Sequence, residues 1–331
     1  MTCGNPQSIR PSQLSRGAPA RTHHIRPSTS LGTIELGDGP TRDALVATAG
    51  ETIARGSKSF SLASRLFDRP VRERAWLLYA WCRHCDDLSD GQTLGHGMSR
   101  VQDAQQRLSL IRVGTERALA GEPAGDMPFD ALRIVAAESR IPDRFIRDHV
   151  AGFELDAQDW RPRSEADMIR YCYHAAGAVG CMMAVVMGLS PDDEETLGRA
   201  SDLGIAFQLA NIARDLMDDD AAGRCYLPVE WLVEMDVPPG QHMKPQYRDR
   251  MAVLARRIER LVDSYERSAR EGAKALPFRS RWAVLTATGI YGDIAREVAR
   301  RGASAWDRRV VISRRRKLGW VAKGWLQARR G

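Results

Sequence analysis

From about residue 41 to residue 312 the chain repeats its apolar side chains at steps of three and four and hardly ever alternates them at steps of two. A step of three or four gathers apolar residues on one face of an α-helix, whereas a half-buried strand needs a period of two. Prolines and glycines punctuate this pattern without changing its period. The stretch 71–87 (VRERAWLLYAWCRHCDD) follows Pro70, and RYCYHAAGAVGCMMAVVMGL (170–189) ends near Pro191. A long helix is expected to begin around Asp192–Glu194, a strongly amphipathic one covers 246–270 and stops before Pro277, and another covers 279–302. No strand pair, nucleotide-binding glycine pattern or solenoid-length repeat is visible. The expected fold is therefore all-α, a single-domain helical bundle.

The most apolar stretch, Ala175–Leu189, is uncharged but only fifteen residues long, and it contains Gly177, Gly180 and Gly188. It is too short to cross a bilayer and reads as a buried core helix. The formal net charge of +7 is unevenly placed. Residues 313–331 carry seven basic side chains and no acid, residues 1–40 carry +2, and the body between is left at about −2. A nucleic-acid binder would carry its positive charge on a folded face, so that class is disfavoured.

Residues 1–40, rich in Ser, Pro, Gly and Arg and without periodicity, read as an unstructured extension, although their first 34 residues lack acids as organelle transit peptides do. The division is thus leader 1–40, helical domain 41–312 and basic tail 313–331. Six cysteines are scattered, and the single C-x-x-C at 82–85 has no second pair to complete a zinc site. They read as small apolar fillers in a reducing, cytoplasmic setting.

Two stretches carry chemistry. In YAWCRHCDDLSD (79–90), Tyr79, Arg83, Asp86 or Asp87, and Asp90 fall on one helical stripe. Carboxylates stacked within a turn repel one another unless a cation joins them, and carboxylate oxygens suit a hard divalent ion such as Mg²⁺. A solvated acidic helix end is the other reading. In FQLANIARDLMDDD (207–220), Gln208, Asn211, Asp215 and Asp219 make a second polar stripe among apolar neighbours. Burying it without partners is costly, and a metal with a diphosphate would supply partners. A solvent-facing stripe is again the alternative, and Asp218 and Asp220 blur the choice of ligand. Two such faces more than a hundred residues apart are expected to oppose each other across a cavity, with Arg83 and Arg214 placed to bind phosphate oxygens. No Ser or Cys nucleophile signature accompanies them.

Taken together, SKSFSLASRLF (57–67), YAWCRHCDDLSD (79–90), RYCYHAAGAVG (170–180), FQLANIARDLMDD (207–219) and GRCYLP (223–228) resemble the squalene and phytoene synthase family, above all its bacterial carotenoid-forming members. The resemblance spans about residues 45–300. It implies an isoprenoid-synthase-type bundle with a central apolar cavity. It also implies head-to-head condensation of two geranylgeranyl diphosphates to phytoene, through a cyclopropylcarbinyl diphosphate and with release of diphosphate. Mg²⁺ is the implied cofactor, with Mn²⁺ as a substitute, and no NADPH is expected. Squalene or dehydrosqualene formation from farnesyl diphosphate is the neighbouring alternative, and a non-catalytic helical assembly factor is the alternative of another class.

By position, the resemblance assigns metal binding to Asp86, Asp90, Asn211, Asp215 and Asp219, with Asp87 adjacent. Diphosphate or substrate contact falls to Gly56, Ser57, Lys58, Ser59, Tyr79, Arg83, Gln208, Arg214 and Tyr291, and Phe60 lines the tail cavity. Catalysis is expected to rest on Asp86, Asp90, Asp215, Asp219, Arg83 and Tyr79. Ser64 stands where a relative making a shorter product has an aromatic, which would leave a deeper pocket. His84 and His174 lie near the motifs as lone histidines.

Beyond the prenyl diphosphate, no obligate protein partner is indicated. The tail places Leu318, Val321, Ala322 and Trp325 on one helical face between basic ends, a pattern for peripheral contact with an anionic membrane. A solvated basic tail or an edge helix of the bundle fits it equally.

Overall fold

The computed structural model describes residues 40–91 and 103–330. Residues 1–39, where the expected leader falls, lie outside them. Thirteen α-helices and no strands occur among the described residues. In chain order they are α1 (Arg42–Gly56), α2 (Lys58–Ser64), α3 (Arg69–Asp90), α4 (Ala104–Leu119), α5 (Met127–Ser139), α6 (Asp143–Ala157) and α7 (Glu165–Cys172). There follow α8 (Ala178–Val186), α9 (Glu194–Ala221), α10 (Val229–Glu234), α11 (Arg248–Gly272), α12 (Phe278–Arg301) and α13 (Arg314–Arg330).

Local chemistry sets several starts. Asp68 caps α3 by accepting from the Val71 amide (3.0 Å), and Pro70 sits in the first turn, where its missing N–H leaves no bond unmade. Ser164 and Asp167 form a reciprocal capping box on α7. Asp193 caps α9 through the Thr196 amide (3.1 Å). The helix expected over 170–189 is interrupted. Tyr173–Gly177 form one turn of π-helix between α7 and α8, a wider turn that hydrophobic spacing does not announce. The stretch Glu165–Val186 is long and apolar enough to cross a membrane by composition, yet most of it is buried inside the bundle, as a core helix is.

The interior falls into two apolar halves. One joins α7, α9, α11 and α12 and includes Leu209, Ile212, Trp231, Ile258 and Val298. The other joins α1, α3, α5, α6 and α8 and includes Leu77, Trp81, Leu132, Phe145 and Met182. Each fully buried large side chain contributes about 1.5–3 kcal/mol, so each half is well secured. A cavity of about 760 Å³ lies between them, walled by α3 on one side and α9 on the other.

The basic tail is not a free segment. Its helix, α13, lies along α12, and Trp282 Nε1 donates to the Val321 carbonyl (2.8 Å). Trp320 donates to Asp293 (2.7 Å) and lies so close over Gly289 that a Cβ there would sit 2.1 Å from the indole. Between a solvated tail and an edge helix, the structure has the edge helix, and it leaves one face of α13 exposed.

Candidate active site

One end of the cavity is polar and the rest is apolar. Tyr79, Arg83, Asp86 and Asp90 enter the polar end from α3, and Gln208, Asn211, Asp215, Asp218 and Asp219 enter it from α9. The two stripes therefore face each other, as their spacing predicts. Asp87 does not join them: it points into a small cleft with Leu45 and Thr48 of α1 and Ala131 of α5. One residue is about 100° on a helix, which separates Asp86 from Asp87.

The acids are held by arginines. Asp90 accepts from Arg224 (2.6 Å), and Asp86 lies 3.4 Å from Arg83. Asp215 is gripped from two sides: Arg214 donates through Nε (2.7 Å) and Nη2, and Arg309 donates through Nε (3.1 Å) and Nη2 (3.0 Å). Trp306 Nε1 donates to the Ala213 carbonyl (2.9 Å), an anchor three residues before Arg309 that helps bring it to α9. Burial, opposed by Arg83 but reinforced by Asp90 and Asp87, pushes the Asp86 carboxyl up to about 7. Its side chain is 35% exposed, and that exposure is toward the cavity. Burial and the nearby Asp215 charge push Asp219 well above the usual carboxylate range.

Several residues that build the polar end escape a reading of spacing. Asp156 of α6 is enclosed by two stacked tyrosines, whose rings lie 4.6 Å apart. Tyr171 donates to it (3.1 Å), as does Tyr226 (2.9 Å). Burial, offset by Arg224, raises Asp156 to about 6. Tyr171, Arg224 and Tyr226 lie within the quoted stretches RYCYHAAGAVG and GRCYLP, which were a usable signal. Asp156 and Arg309 come from stretches with no signature.

Whether this end fits a divalent cation follows from its chemistry. Its candidate donors are carboxylates and the side-chain amides of Gln208 and Asn211, which offer oxygen, as Mg²⁺ prefers. Asp86 and Asp219, from opposing helices, are both disfavoured as anions where they stand. No three acids among the described residues form a ready-made cage, so a bound ion would complete its shell with water or substrate oxygens. The residues fit the ion on those terms.

At the rim, the Ser57 hydroxyl caps α2 by accepting from the Phe60 amide (3.2 Å), and Ser59 accepts from Lys317 of α13 (2.8 Å). Ser57, Ser59 and Phe60 line the cavity, while Lys58 is exposed beside it. Gly56 lies beneath Tyr79, where a Cβ would meet the phenol oxygen at 2.5 Å. Tyr291 stacks on Phe207 with centroids 4.0 Å apart, at the border of polar and apolar walls.

Ser64 does not line the cavity. Its hydroxyl donates to the Ser61 carbonyl (3.0 Å) and accepts from Trp76 Nε1 (3.0 Å), so it faces the α3 side, and Ala63 lines the wall instead. His84 is paired with Asp126 (3.1 Å) and His174 is bonded to the Asp148 carbonyl (2.8 Å), and neither lines the cavity. Cys85, Cys172, Cys181 and Cys225 are buried free thiols, each pushed up by burial, in keeping with a packing role.

Comparison with known proteins places this geometry. The squalene/phytoene synthase family model matches residues 53–316. The chain is 43% identical to a 15-cis-phytoene synthase of Pantoea ananas, covering 83% of this chain and 89% of that one. It is 44% identical to a phytoene synthase of Pseudescherichia vulneris, covering 84% and 90%. A crystal structure of a dehydrosqualene synthase with bound ligand superposes with a TM-score of 0.78 at 24% identity, covering 88% of this chain and 98% of that one. A squalene synthase from Alicyclobacillus acidocaldarius gives 0.67 at 21% identity, covering 79% and 95%. These two structures establish the fold.

Proposed function

The chain belongs to the squalene/phytoene synthase family, and on that premise we propose that it joins two molecules of geranylgeranyl diphosphate head to head to form phytoene. It is a prenyltransferase of the phytoene-forming kind. The observation that carries the choice of substrate is the depth of the cavity below its acids. Asn211 and Thr196 both face the cavity from α9, fifteen residues or about 22 Å apart at about 1.5 Å per residue. A prenyl unit extends about 5 Å, with four C–C bonds of about 1.5 Å in zigzag. Four units fill that depth, and three leave it short by about a unit.

Asp86, Asp90, Asn211, Asp215 and Asp219 would hold the divalent ion, with Mg²⁺ the natural candidate. When bound, such an ion neutralises charge on the departing diphosphate. The chain's own groups do the rest. Arg83, Arg214, Arg224 and Arg309 offer guanidiniums to phosphate oxygens. Arg214 and Arg309, which grip Asp215, would be free to turn to substrate if a bound ion were held by that carboxylate. Below them, Phe60, Phe207, Val179, Met183 and Ile290 hold the prenyl chains and keep water from the allylic cation. The phytoene route ends in loss of a proton and calls for no reductant.

The exposed face of α13 supports peripheral contact with an anionic membrane, a cytoplasmic enzyme resting on the bilayer that receives its hydrocarbon product. Leu318 and Leu326 are exposed, and so are Arg315, Lys323, Arg329 and Arg330. The double variant Leu318→Ser, Leu326→Ser should reduce binding to vesicles containing phosphatidylglycerol, and unchanged binding contradicts this contact.

The reaction itself is tested with purified protein, Mg²⁺, geranylgeranyl diphosphate and no NADPH. Phytoene in the apolar extract, abolished by chelator, is the expected result. Product from farnesyl diphosphate alone would move the enzyme to the squalene or dehydrosqualene branch.

A further inference from the structure

The apolar end of the cavity has its own small cluster, separate from the two large halves of the interior. Phe67, Met187, Leu276 and Ala283 pack together there with Ala75 behind them, all buried. The first four also line the cavity. They come from the turn after α2, the residue after α8, the turn before α12 and α12 itself. This end lies opposite the acids. Thr196, at the start of α9, lines it, and α12 enters it at Ala283 after passing Ala287 and Tyr291.

The wall is braced from outside. Arg279 of α12 donates to the carbonyls of Leu66 (2.8 Å) and Phe67 (3.4 Å), fastening the α2–α3 turn to α12. Ala273, which also lines this end, packs with Leu285 of α12 and Ala328 of α13. Arg281 donates to the carbonyls of Lys274 (2.7 Å) and Leu276 (3.2 Å). A wall fixed in two layers cannot yield to a longer chain without strain, because packed interiors deform little.

Given the geranylgeranyl reading above, on which the inference rests, we propose that this cluster is the length gauge of the substrate and that Ala283 is the residue whose small side chain admits the fourth prenyl unit. Within this cluster Phe67, Met187 and Leu276 fill their share of the end with large side chains, and Ala283 is the cavity-lining member that contributes only a methyl group. Space for the last unit is left at Ala283. Ser64 plays no part, since its hydroxyl is bonded on the side away from the cavity. A phenyl ring at position 283 would occupy about the room of one five-carbon unit, while shortening Met187 would open room beyond it.

The test compares kcat/KM for farnesyl, geranylgeranyl and geranylfarnesyl diphosphates, with Mg²⁺, in the wild type, Ala283→Phe and Met187→Ala. In Ala283→Phe the ratio of geranylgeranyl to farnesyl turnover should fall roughly a hundredfold, within the range for a pocket that loses room for a few carbons. In Met187→Ala the ratio of geranylfarnesyl to geranylgeranyl turnover should rise about tenfold. A ratio unchanged in Ala283→Phe, or equal loss on all chain lengths, overturns the proposal. If that variant does not fold, the Met187→Ala ratio decides alone, and an unchanged value overturns it. A wild type that prefers farnesyl diphosphate would sink the phytoene reading instead, a result separate from any change of ratio in the variants.

Discussion

The two ends of the cavity are built on opposite principles. At the polar end, like charges from α3, α6 and α9 are brought together and held by Arg83, Arg214, Arg224 and Arg309. That end is electrostatically unfinished: buried carboxyls crowd one another and their titration is pushed upward. At the apolar end the lining carries no charge among the described residues except Arg199 at the margin, and stability comes from side chains locked by a second layer. One end waits for a cation and a diphosphate, and the other measures a hydrocarbon. Folding a crowded acid cluster costs stability, and the tightly packed halves around it supply the margin.

That contrast is broken most severely by removing a carboxylate from the polar end. Asp86→Asn and Asp215→Asn should each lower turnover by about a thousandfold or more while circular dichroism stays helical. Either variant retaining wild-type turnover would remove that residue from the ion site. In Asp215→Asn the two guanidiniums of Arg214 and Arg309 lose their shared partner. Metal should therefore raise the melting temperature of that variant less than it raises that of the wild type.

The buttress of the apolar end should respond in stability rather than in chemistry. Gly289→Ala places a methyl group against the Trp320 indole and should cost about 2 kcal/mol, read from denaturant midpoints. An unchanged midpoint would mean that α13 is not held where it lies against α12.

The smallest effect is the pH dependence of the metal-free protein. Asp86 titrates near 7 in the fold because burial disfavours its charge, so from about pH 7 down to the ordinary carboxylate range the native state binds more protons than the unfolded chain. Stability should then rise as pH falls from 8 to about 6.5. Below that, Asp156 and Asp202, both raised to about 6 by burial, continue the gain. Buried His149, lowered to about 4, opposes it, because the unfolded imidazole takes up a proton first. That single group slows the gain without cancelling it, because three carboxyls act against it. Glu297, held near 2 first by Arg300, matters only in more acid solution. Thermal melts in chelator read this profile, and a steady fall in stability from pH 8 to 6.5 would contradict it.

The polar end was legible in the sequence because a helix converts steps of three and four into a shared face. Gln208, Asn211, Asp215 and Asp219 could be placed by arithmetic, and so could Tyr79, Arg83, Asp86 and Asp90. The arithmetic stopped at the choice between Asp86 and Asp87, which depends on how α3 is rolled against α1 and α5. Asp156 and Arg309 were invisible because each acts through tertiary apposition, one between two tyrosines and the other across a long turn onto α9. The apolar end was less legible still. Phe67, Met187, Leu276 and Ala283 are ordinary core residues from four separated stretches, and only packing makes them a wall. Ser64 was misplaced because Trp76 needs an acceptor for its indole N–H, and the Ser64 hydroxyl supplies it.

The most direct test of a cavity with these two ends is a crystal structure with Mg²⁺ and an unreactive thio-diphosphate analogue of geranylgeranyl diphosphate. The account predicts the diphosphate between Asp86 and Asp90 on one side and Asn211, Asp215 and Asp219 on the other, with the last prenyl unit against Phe67, Met187 and Ala283. A tail that ends short of that wall, or a diphosphate bound away from the two acidic faces, would contradict it.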